Sequence, residues 1–279
     1  MDGDRIGNRR RVVGFDMKQN FQNKTVWLTG ASSGIGEALA YEFARRGAQL
    51  ILSARRAHEL ERVRAQCIEP ARAKILSLDV ADLESIPRKA EQARALFGHI
   101  DMLVNNAGIS QRGTVADTEM AVLQRVFQIN FFGAVAMTKA VLPDMLERRA
   151  GHIVVISSLT GKLPVPKYAA YCASKHALQG YFDSLRGEVA QKGIKVTVIL
   201  PGFVQSEISK NSLDAHGNTR GKATLPDKAM RADAAARKMV NALARGREEY
   251  EFGGIERFAV PVRTYAPRVY TYAIKRIKT

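Results

Sequence analysis

Short apolar, β-branched runs alternate with segments of helical length along most of this chain of 279 residues. Runs that are apolar at nearly every position are typical of strands in a parallel sheet covered on both faces. Because strand–helix alternation builds right-handed crossover units, the pattern predicts an α/β fold with one doubly wound parallel sheet of about seven strands. The predicted strands are 25–29, 49–53, 74–79, 101–105, 152–157, 195–200 and 249–252, and the predicted helices are 34–46, 57–66, 83–97, 118–147 and 168–191.

The organisation of the chain favours one domain over residues 23–254, because no internal repeat or low-complexity linker divides it. A basic N-terminal tail (1–22) precedes this domain. Residues 201–227 are rich in Gly, Ser, Asn and Lys, which predicts a lid over a site. A basic amphipathic extension (255–279) follows, in which apolar residues alternate with six basic ones and two prolines, Pro261 and Pro267, prevent a continuous helix.

The net charge of +16 predicts affinity for an anionic partner. A phosphorylated cofactor, an acidic membrane surface and nucleic acid would each qualify, but no nucleic-acid-binding motif is present, so nucleic acid is not expected. No residue cluster has metal-ligand spacing, so no metal is expected. Two cysteines, no apolar signal core and no stretch of about 18 apolar residues predict a cytoplasmic protein, with attachment at the membrane periphery as an alternative.

A glycine-rich turn follows the first predicted strand and opens a helix. Gly30 would allow a tight turn, Gly34 would let the backbone approach a pyrophosphate, and Gly36 would allow close helix–strand packing. The N–H groups at the helix N-terminus would then bind phosphates. The turn reads Thr29-Gly30-Ala31-Ser32-Ser33-Gly34-Ile35-Gly36.

A tyrosine and a lysine, Tyr171 and Lys175, lie one helical turn apart. An ammonium group at this distance is expected to lower the pKa of the phenol, so that the tyrosine could exchange protons with a substrate oxygen. Ser158 lies thirteen residues upstream of Tyr171 and could hold that oxygen. Taken alone, the pair also fits ordinary packing on a helix surface.

The spacing of the glycines and the order of these motifs resemble the short-chain dehydrogenase/reductase family, over about residues 23–252. The resemblance implies a Rossmann-type sheet and hydride transfer between a nicotinamide cofactor and a carbonyl or alcohol. It further implies that Ser158 holds the substrate oxygen and Tyr171 exchanges a proton with it. Lys175 would lower the tyrosine pKa and hold the nicotinamide ribose, and Asn130 would hold a water in a proton relay.

The second predicted strand is followed by two arginines, Arg55 and Arg56, and Ala54 stands where NAD-using relatives carry Asp. Arginine suits a ribose 2′-phosphate, whereas a carboxylate suits a free 2′-hydroxyl, so NADP is favoured over NAD. The resemblance implies further cofactor contacts along the chain. The remaining predicted cofactor-binding residues are Gly30, Ser32, Ser33, Gly34, Ile35, Gly36, Asp79, Val80, Asn106, Ala107, Gly108, Tyr171, Lys175, Pro201, Gly202, Val204 and Ser206.

Within the family, the chain resembles the branch that includes dehydrogenase/reductase member 7 and its bacterial relatives. That branch implies a small apolar, lipid-like or steroid-like substrate, in a pocket formed by residues 109–112, 159–168 and 201–212. The resemblance also implies a homodimer or homotetramer. A cofactor-binding protein without catalysis is the rival interpretation, which the complete set of four catalytic residues disfavours. The extension could bind an anionic membrane, cover the pocket or pack in a subunit interface.

Overall fold

The computed structural model describes residues 21–222 and 229–276. Most of the predicted N-terminal tail (1–22), the end of the predicted lid (201–227) and the last residues of the extension (255–279) lie outside the described residues.

Seven parallel strands form the sheet in the order β3-β2-β1-β4-β5-β6-β7, which confirms the predicted fold class. The order reverses between β1 and β4, where doubly wound sheets bind ligands at the carboxyl ends of their strands. The strands are β1 (Thr25–Thr29), β2 (Gln49–Ser53), β3 (Ala73–Ile75), β4 (Met102–Asn105), β5 (Gly151–Ile156), β6 (Ile194–Pro201) and β7 (Glu249–Phe252).

Helices connect the strands and cover both faces of the sheet. Their bounds are α1 (Gly34–Arg45), α2 (Ala57–Ala65), α3 (Ile86–Phe97), α4 (Met120–Phe127), α5 (Gly133–Glu147), α6 (Ala169–Val189), α7 (Glu207–Lys210), α8 (Ala232–Ala244), α9 (Ala259–Tyr265) and α10 (Pro267–Ile274).

The core has two parts, one on each face of the sheet. On one face, Phe43 of α1 and Met239 of α8 pack against Val26 and Leu28 of β1. On the other, Trp27 packs among residues of α3, α5 and α6, including Phe182. Successive residues of β1 therefore point into opposite parts of the core, as expected for a strand buried on both faces.

The third strand is shorter than predicted. Regular pairing ends at Ile75, although the sequence predicts a strand to residue 79. The chain stays close to β2 beyond that point, because Leu76 N–H donates to Leu52 O (3.0 Å) and Leu78 N–H donates to Ala54 O (3.1 Å). Residues 76–79 thus lead toward the sheet edge without forming a regular strand.

The predicted helix 118–147 contains a π-helical turn, Gln128–Phe132, between α4 and α5. The segment Met120–Glu147 has 28 residues, and an 18-residue stretch within it has a mean hydropathy of 1.3, so that it is long and apolar enough to cross a membrane, contrary to the sequence expectation. This is a test of length and composition that core helices of soluble proteins also pass. Here Val126, Met137 and Val141 are buried in the protein.

The sequence prediction also missed helix α8. Its buried side chains, Ala235, Ala236, Met239, Val240, Ala242 and Leu243, do follow a helical period. Because three of the six are alanines, the apolar stripe is weak. The predicted aperiodic lid includes the short helix α7 and an isolated bridge between Gln111 and Leu213.

Candidate active site

The carboxyl ends of five strands open into a cavity of about 1360 Å³. Its wall includes every residue predicted from the sequence to contact a cofactor, and also Ser158. Three of the four predicted catalytic residues, Ser158, Tyr171 and Lys175, therefore face one space. Asn130 lies behind the wall.

The glycine turn joins β1 to α1 at this cavity. Gly30 has φ +66°, a conformation that favours glycine, and a Cβ at Gly36 would lie only 2.1 Å from the Gly30 carbonyl oxygen. Ser33 is the N-cap of α1, yet among the described residues its side chain makes no capping hydrogen bond to that helix. Because the first N–H groups of a helix have no intrahelical acceptors, this end of α1 fits an anionic pyrophosphate.

Asn106 fixes the glycine turn against the end of β4. Its side-chain amide donates to the carbonyls of Thr29 (3.0 Å) and Gly30 (3.2 Å). Asn105, one residue earlier, is buried and donates to the Thr138 hydroxyl (3.0 Å) instead. The pair therefore braces the centre of the sheet, and Asn106, Ala107 and Gly108 border the cavity.

Helix α6 places Tyr171 and Lys175 on the face that lines the cavity. The Lys175 ammonium is buried, donates to the Ile156 carbonyl (2.9 Å) and lies 5.7 Å from the centre of the Tyr171 ring. Ser158, two residues beyond β5, shares a hydrogen bond with the Tyr171 phenol. The neighbouring Ser157 points to α6, where its hydroxyl donates to the Lys175 carbonyl (3.2 Å).

The pKa of Tyr171 differs from the sequence expectation. Burial raises the pKa of the phenol to about 12, and the hydrogen bond with Ser158 lowers it only in part. Burial also lowers the pKa of the Lys175 ammonium to about 8. The expected lowering of the tyrosine pKa is therefore wrong, because burial raises this pKa by more than the hydrogen bond with Ser158 lowers it.

Asn130 lies in the π-helical turn, where its side chain bridges two segments. The Ile109 N–H donates to Asn130 Oδ1 (2.8 Å), and Asn130 Nδ2 donates to the Ile109 carbonyl (2.9 Å) and the Ser174 hydroxyl (3.0 Å). Ser174 belongs to α6 and directly precedes Lys175. Asn130 thus ties the segment after β4 to the helix that carries the tyrosine and lysine.

Comparison with known proteins identifies the family of this fold and site. A family model described as short chain dehydrogenase matches residues 24–217. The chain belongs to the short-chain dehydrogenase/reductase family. A protein of Drosophila melanogaster described as dehydrogenase/reductase SDR family protein 7-like is 41% identical over 269 residues, covering 92% of this chain and 82% of that protein. The predicted family and branch are confirmed, and the protein is a dehydrogenase/reductase.

Solved structures agree with this assignment. A short-chain dehydrogenase from Streptomyces avermitilis superposes with a TM-score of 0.79 at 31% identity, covering 92% of this chain and 98% of that chain. The structure of ElxO with NADP bound has a TM-score of 0.71 at 25% identity, covering 84% of this chain and 98% of that chain.

The two arginines that follow β2 lie at the far end of the cavity of this short-chain dehydrogenase/reductase. Arg55 and Arg56 are both exposed, and Arg56 Nη2 donates to the Ser32 hydroxyl (3.3 Å) in the glycine turn. Ala54 also borders the cavity and offers no carboxylate there. Asp79 accepts a hydrogen bond from Ala81 N–H (3.0 Å) and, with Val80, lines the neighbouring wall. The arrangement fits a phosphate better than a free ribose hydroxyl.

A salt-bridge network braces this end of the cavity. Arg62 of α2 contacts the Glu37 carboxylate of α1 through two guanidinium nitrogens (2.7 and 2.8 Å) and also donates to the Ser32 carbonyl (3.4 Å). Its Nε donates to Glu59 (2.8 Å). The network fixes α2 against the glycine turn, so that Arg55 and Arg56 have a defined position.

The segment after β6 borders the tyrosine end of the cavity. Gly202 N–H donates to Phe252 O (2.7 Å), and the Ser206 hydroxyl donates to the Val204 carbonyl (3.4 Å). Pro201, Gly202, Val204 and Ser206 all contribute to the wall.

The substrate end of the cavity is largely apolar and includes residues that the sequence analysis did not assign to a site. Leu163, Val165 and Ile208 come from the predicted segments. The C-terminal extension adds one charged residue and several mostly apolar ones to the wall, which are Glu256, Phe258, Ala259, Val262, Val269, Tyr270, Ala273 and Ile274. Covering the pocket was one of the three tasks that the sequence left open for the extension.

Three residues, Glu256, Arg263 and Tyr270, hold the extension in place. The Tyr270 hydroxyl donates to the Pro164 carbonyl (2.7 Å), and Arg263 contacts both the Lys162 carbonyl and His176. Glu256 accepts hydrogen bonds from the N–H groups of Phe203 (3.1 Å) and Gly254 (3.0 Å). The extension therefore forms part of the pocket wall. Among residues 21–222 and 229–276, no group of three or more His, Cys, Asp or Glu side chains could hold a metal ion.

The buried lysine leads to a prediction about stability. Burying a charged Lys175 costs free energy below the folded pKa of about 8, and this cost disappears as the pH rises toward the ordinary value of 10.5. The full cost is about 3 kcal/mol, and loss of the hydrogen bond to Ile156 offsets about 1 kcal/mol. Lys175→Met should therefore raise the free energy of unfolding by about 2 kcal/mol at pH 7.

The measurement is urea denaturation of both proteins between pH 7 and pH 10. The difference in the free energy of unfolding between Lys175→Met and wild type should shrink above pH 8. Lys238→Met, at an exposed lysine of α8, is the control and should show no such trend. If the increase in the free energy of unfolding from Lys175→Met stays constant with pH, burial of the charged lysine does not cost the proposed free energy.

Proposed function

We propose that this protein interconverts a carbonyl and a secondary alcohol on a small apolar substrate, using NADP(H) and Tyr171 as the general acid and base. The observation that carries the proposal is that Ser158, Tyr171 and Lys175 line one end of a cavity. A glycine turn and two arginines line its other end.

The reaction would proceed at the oxygen of the substrate. A bound reduced nicotinamide would supply the hydride. In the reducing direction negative charge develops on the carbonyl oxygen, where the hydroxyls of Ser158 and Tyr171 can both donate hydrogen bonds. Tyr171 then transfers its proton to that oxygen. Alcohol oxidation would reverse these steps and requires the deprotonated phenol.

The raised pKa of Tyr171, about 12, supports reduction as the proposed direction. At neutral pH the phenol carries the proton that reduction needs. Lys175 is proposed to hold the nicotinamide ribose and to favour the phenolate when oxidation occurs. The proton relay through Asn130 is part of the same proposal, supported by its bond to Ser174 next to Lys175.

NADP is the proposed cofactor. Support comes from Arg55 and Arg56 at the end of β2, from Ala54 in place of a carboxylate, and from ElxO, a relative whose structure holds NADP. The apolar lining around Leu163, Val262 and Ile274 supports an apolar, lipid-like or steroid-like substrate.

A screen of apolar ketones and aldehydes, with loss of NADPH absorbance as the signal, tests this function. Tyr171→Phe serves as the blank for every compound. The rival proposal is a cofactor-binding protein without catalysis. Binding of NADPH with no turnover of any compound, in either direction, would favour that rival.

A homodimer or homotetramer through the helices that carry Asn130 and Tyr171 is proposed as well. Met120, Leu123 and Phe132 are exposed apolar side chains of the first of these helical segments. Phe132→Glu should therefore shift the mass measured by light scattering toward the monomer. A wild-type monomer, or an unchanged mass in the variant, would contradict this assembly.

A further inference from the structure

We propose that the helix pair α9–α10 docks the protein on an anionic phospholipid bilayer. The two helices present different chemistry on their two sides. Val260 and Tyr270 pack against the core, and Val262 and Ile274 line the cavity. The side that faces away from the protein is the proposed docking surface, and its apolar residues are Ile255, Phe258, Tyr265, Val269 and Tyr272.

Large apolar side chains are exposed to solvent on this surface. Ile255 and Tyr265 are each 86% exposed, and Phe258, Val269 and Tyr272 are about 60% exposed. Single exposed apolar residues are common, but a cluster within a 22-residue stretch (255–276) indicates a contact with another apolar phase. Aromatic rings with polar edges are suited to the boundary between lipid headgroups and acyl chains.

The charge of the same segment complements an acidic surface. Residues 255–276 contain five basic side chains and one acidic side chain, Glu256, whose carboxylate lies in the cavity wall and accepts hydrogen bonds from the N–H groups of Phe203 and Gly254. Four of the five, Arg257, Arg268, Lys275 and Arg276, are exposed. The Arg276 guanidinium lies 3.3 Å from the centre of the Tyr272 ring, and that of Arg257 lies 4.7 Å from the Phe258 ring. Cation and ring are thus presented together, the combination that binds an anionic interface.

The charge and the apolar side chains of this surface argue against two other occupants. A second copy of this surface would bring like charges together without any acidic partner, which opposes a symmetric dimer through it. Nucleic acid would satisfy the charge but would leave Ile255 and Val269 without an apolar partner. A bilayer satisfies both the charge and the aliphatic side chains.

The docking surface borders the substrate end of the cavity. Val262 and Val269 line the cavity and are also 38% and 60% exposed, so they lie at its rim. Docking would bring this rim to the lipid. An apolar substrate could then enter from the bilayer, a consequence that rests on the proposed function, whereas the docking itself does not.

The experiment is flotation of the full chain with phosphatidylcholine vesicles, prepared with and without phosphatidylserine. The test variant replaces Arg257, Arg268, Lys275 and Arg276 by Gln. The control variant replaces four exposed bases outside the extension, Arg88, Lys192, Lys238 and Arg245, by Gln and so loses the same net charge. A third variant, Tyr265→Ser with Tyr272→Ser, keeps the charges and removes two rings.

Wild type should bind the anionic vesicles, and added salt should weaken binding. The test variant should bind at least tenfold more weakly, because each basic residue near an anionic surface adds about one factor of five. The ring variant should also lose affinity, and the control should not. All variants should keep the unfolding temperature and NADPH affinity of wild type, since none of the changed residues lies at the cofactor end.

Absence of wild-type binding, or equal losses in the test and control variants, would overturn the docking surface. So would binding to a DNA oligonucleotide but not to vesicles, or a change of oligomeric mass in the test variant without vesicle binding. The proposed reaction is measured separately, on a water-soluble carbonyl compound without vesicles. Failure of one proposal therefore leaves the other intact.

Discussion

Tyr171→Phe is expected to lower kcat by about 10³-fold or more while NADPH affinity stays within about twofold of wild type. The substitution removes only the hydroxyl, so the ring can still pack on the wall of the cavity beside Lys175. What is lost is the proton donor of the reduction and one of the two hydrogen bonds to the developing oxyanion. Steady-state turnover and a fluorescence titration with NADPH measure the two quantities.

Tyr181→Phe is the matched control, because Tyr181 lies on the same helix α6 but packs against Phe131 and Phe182 away from the cavity. It should keep wild-type turnover. Retained turnover in Tyr171→Phe would remove this tyrosine from the proposed mechanism. A loss of NADPH affinity equal to the loss of turnover would instead indicate a binding role.

The second large effect is expected from Arg55→Ala combined with Arg56→Ala. Each hydrogen bond between a guanidinium and a phosphate is worth about 1.5–3 kcal/mol, so loss of both should weaken NADPH binding by about 10²-fold or more. NADH has no 2′-phosphate, and its affinity should change little or improve. Titration of both nucleotides against the variant and wild type measures the change in preference.

Arg64→Ala with Arg88→Ala removes the same charge from α2 and α3 without touching the cavity. This control separates direct contact from a general loss of positive potential. If both double variants lose NADPH affinity equally, the effect is electrostatic and nonspecific. If the affinities for NADH and NADPH fall together in the variant that lacks Arg55 and Arg56, these arginines do not recognise the 2′-phosphate.

The succession of strands and helices along the chain and the placement of the site could be predicted from the sequence, because they depend on local pattern. Apolar runs gave β1, β2 and β7 their observed bounds, and the glycine turn had to lie where β1 meets α1. Once a parallel sheet is assumed, motifs that follow its strands meet at one edge. The cavity gathers residues from Gly30 to Ser206 for this reason.

Properties that depend on burial in the folded protein could not be predicted from the sequence in the same way. The spacing of Tyr171 and Lys175 predicts attraction between them, but only the fold reveals that Lys175 is buried, that Tyr171 is partly buried and that burial decides the pKa of each. The sequence likewise predicts a break near Pro267, but not which sides of α9 and α10 close the pocket. A sequence pattern predicts the period of a helix or strand and the chemistry of its side chains. The orientation of that element depends on the neighbours against which it packs.

The π-helical turn between α4 and α5 has a consequence for how insertions and deletions are tolerated. A π turn accommodates one more residue than an α-helical turn of the same rise. Deleting one residue of Gln128–Phe132 other than Asn130 would convert the turn to regular α-helix and leave α5 in its present orientation relative to α4, because the extra residue is the one removed. Deleting one residue at the start of α5 would instead rotate the rest of that helix by about 100°, and Met137 and Val141 would leave the core. The π turn is therefore a place where this helical segment can lose a residue and still cover the sheet.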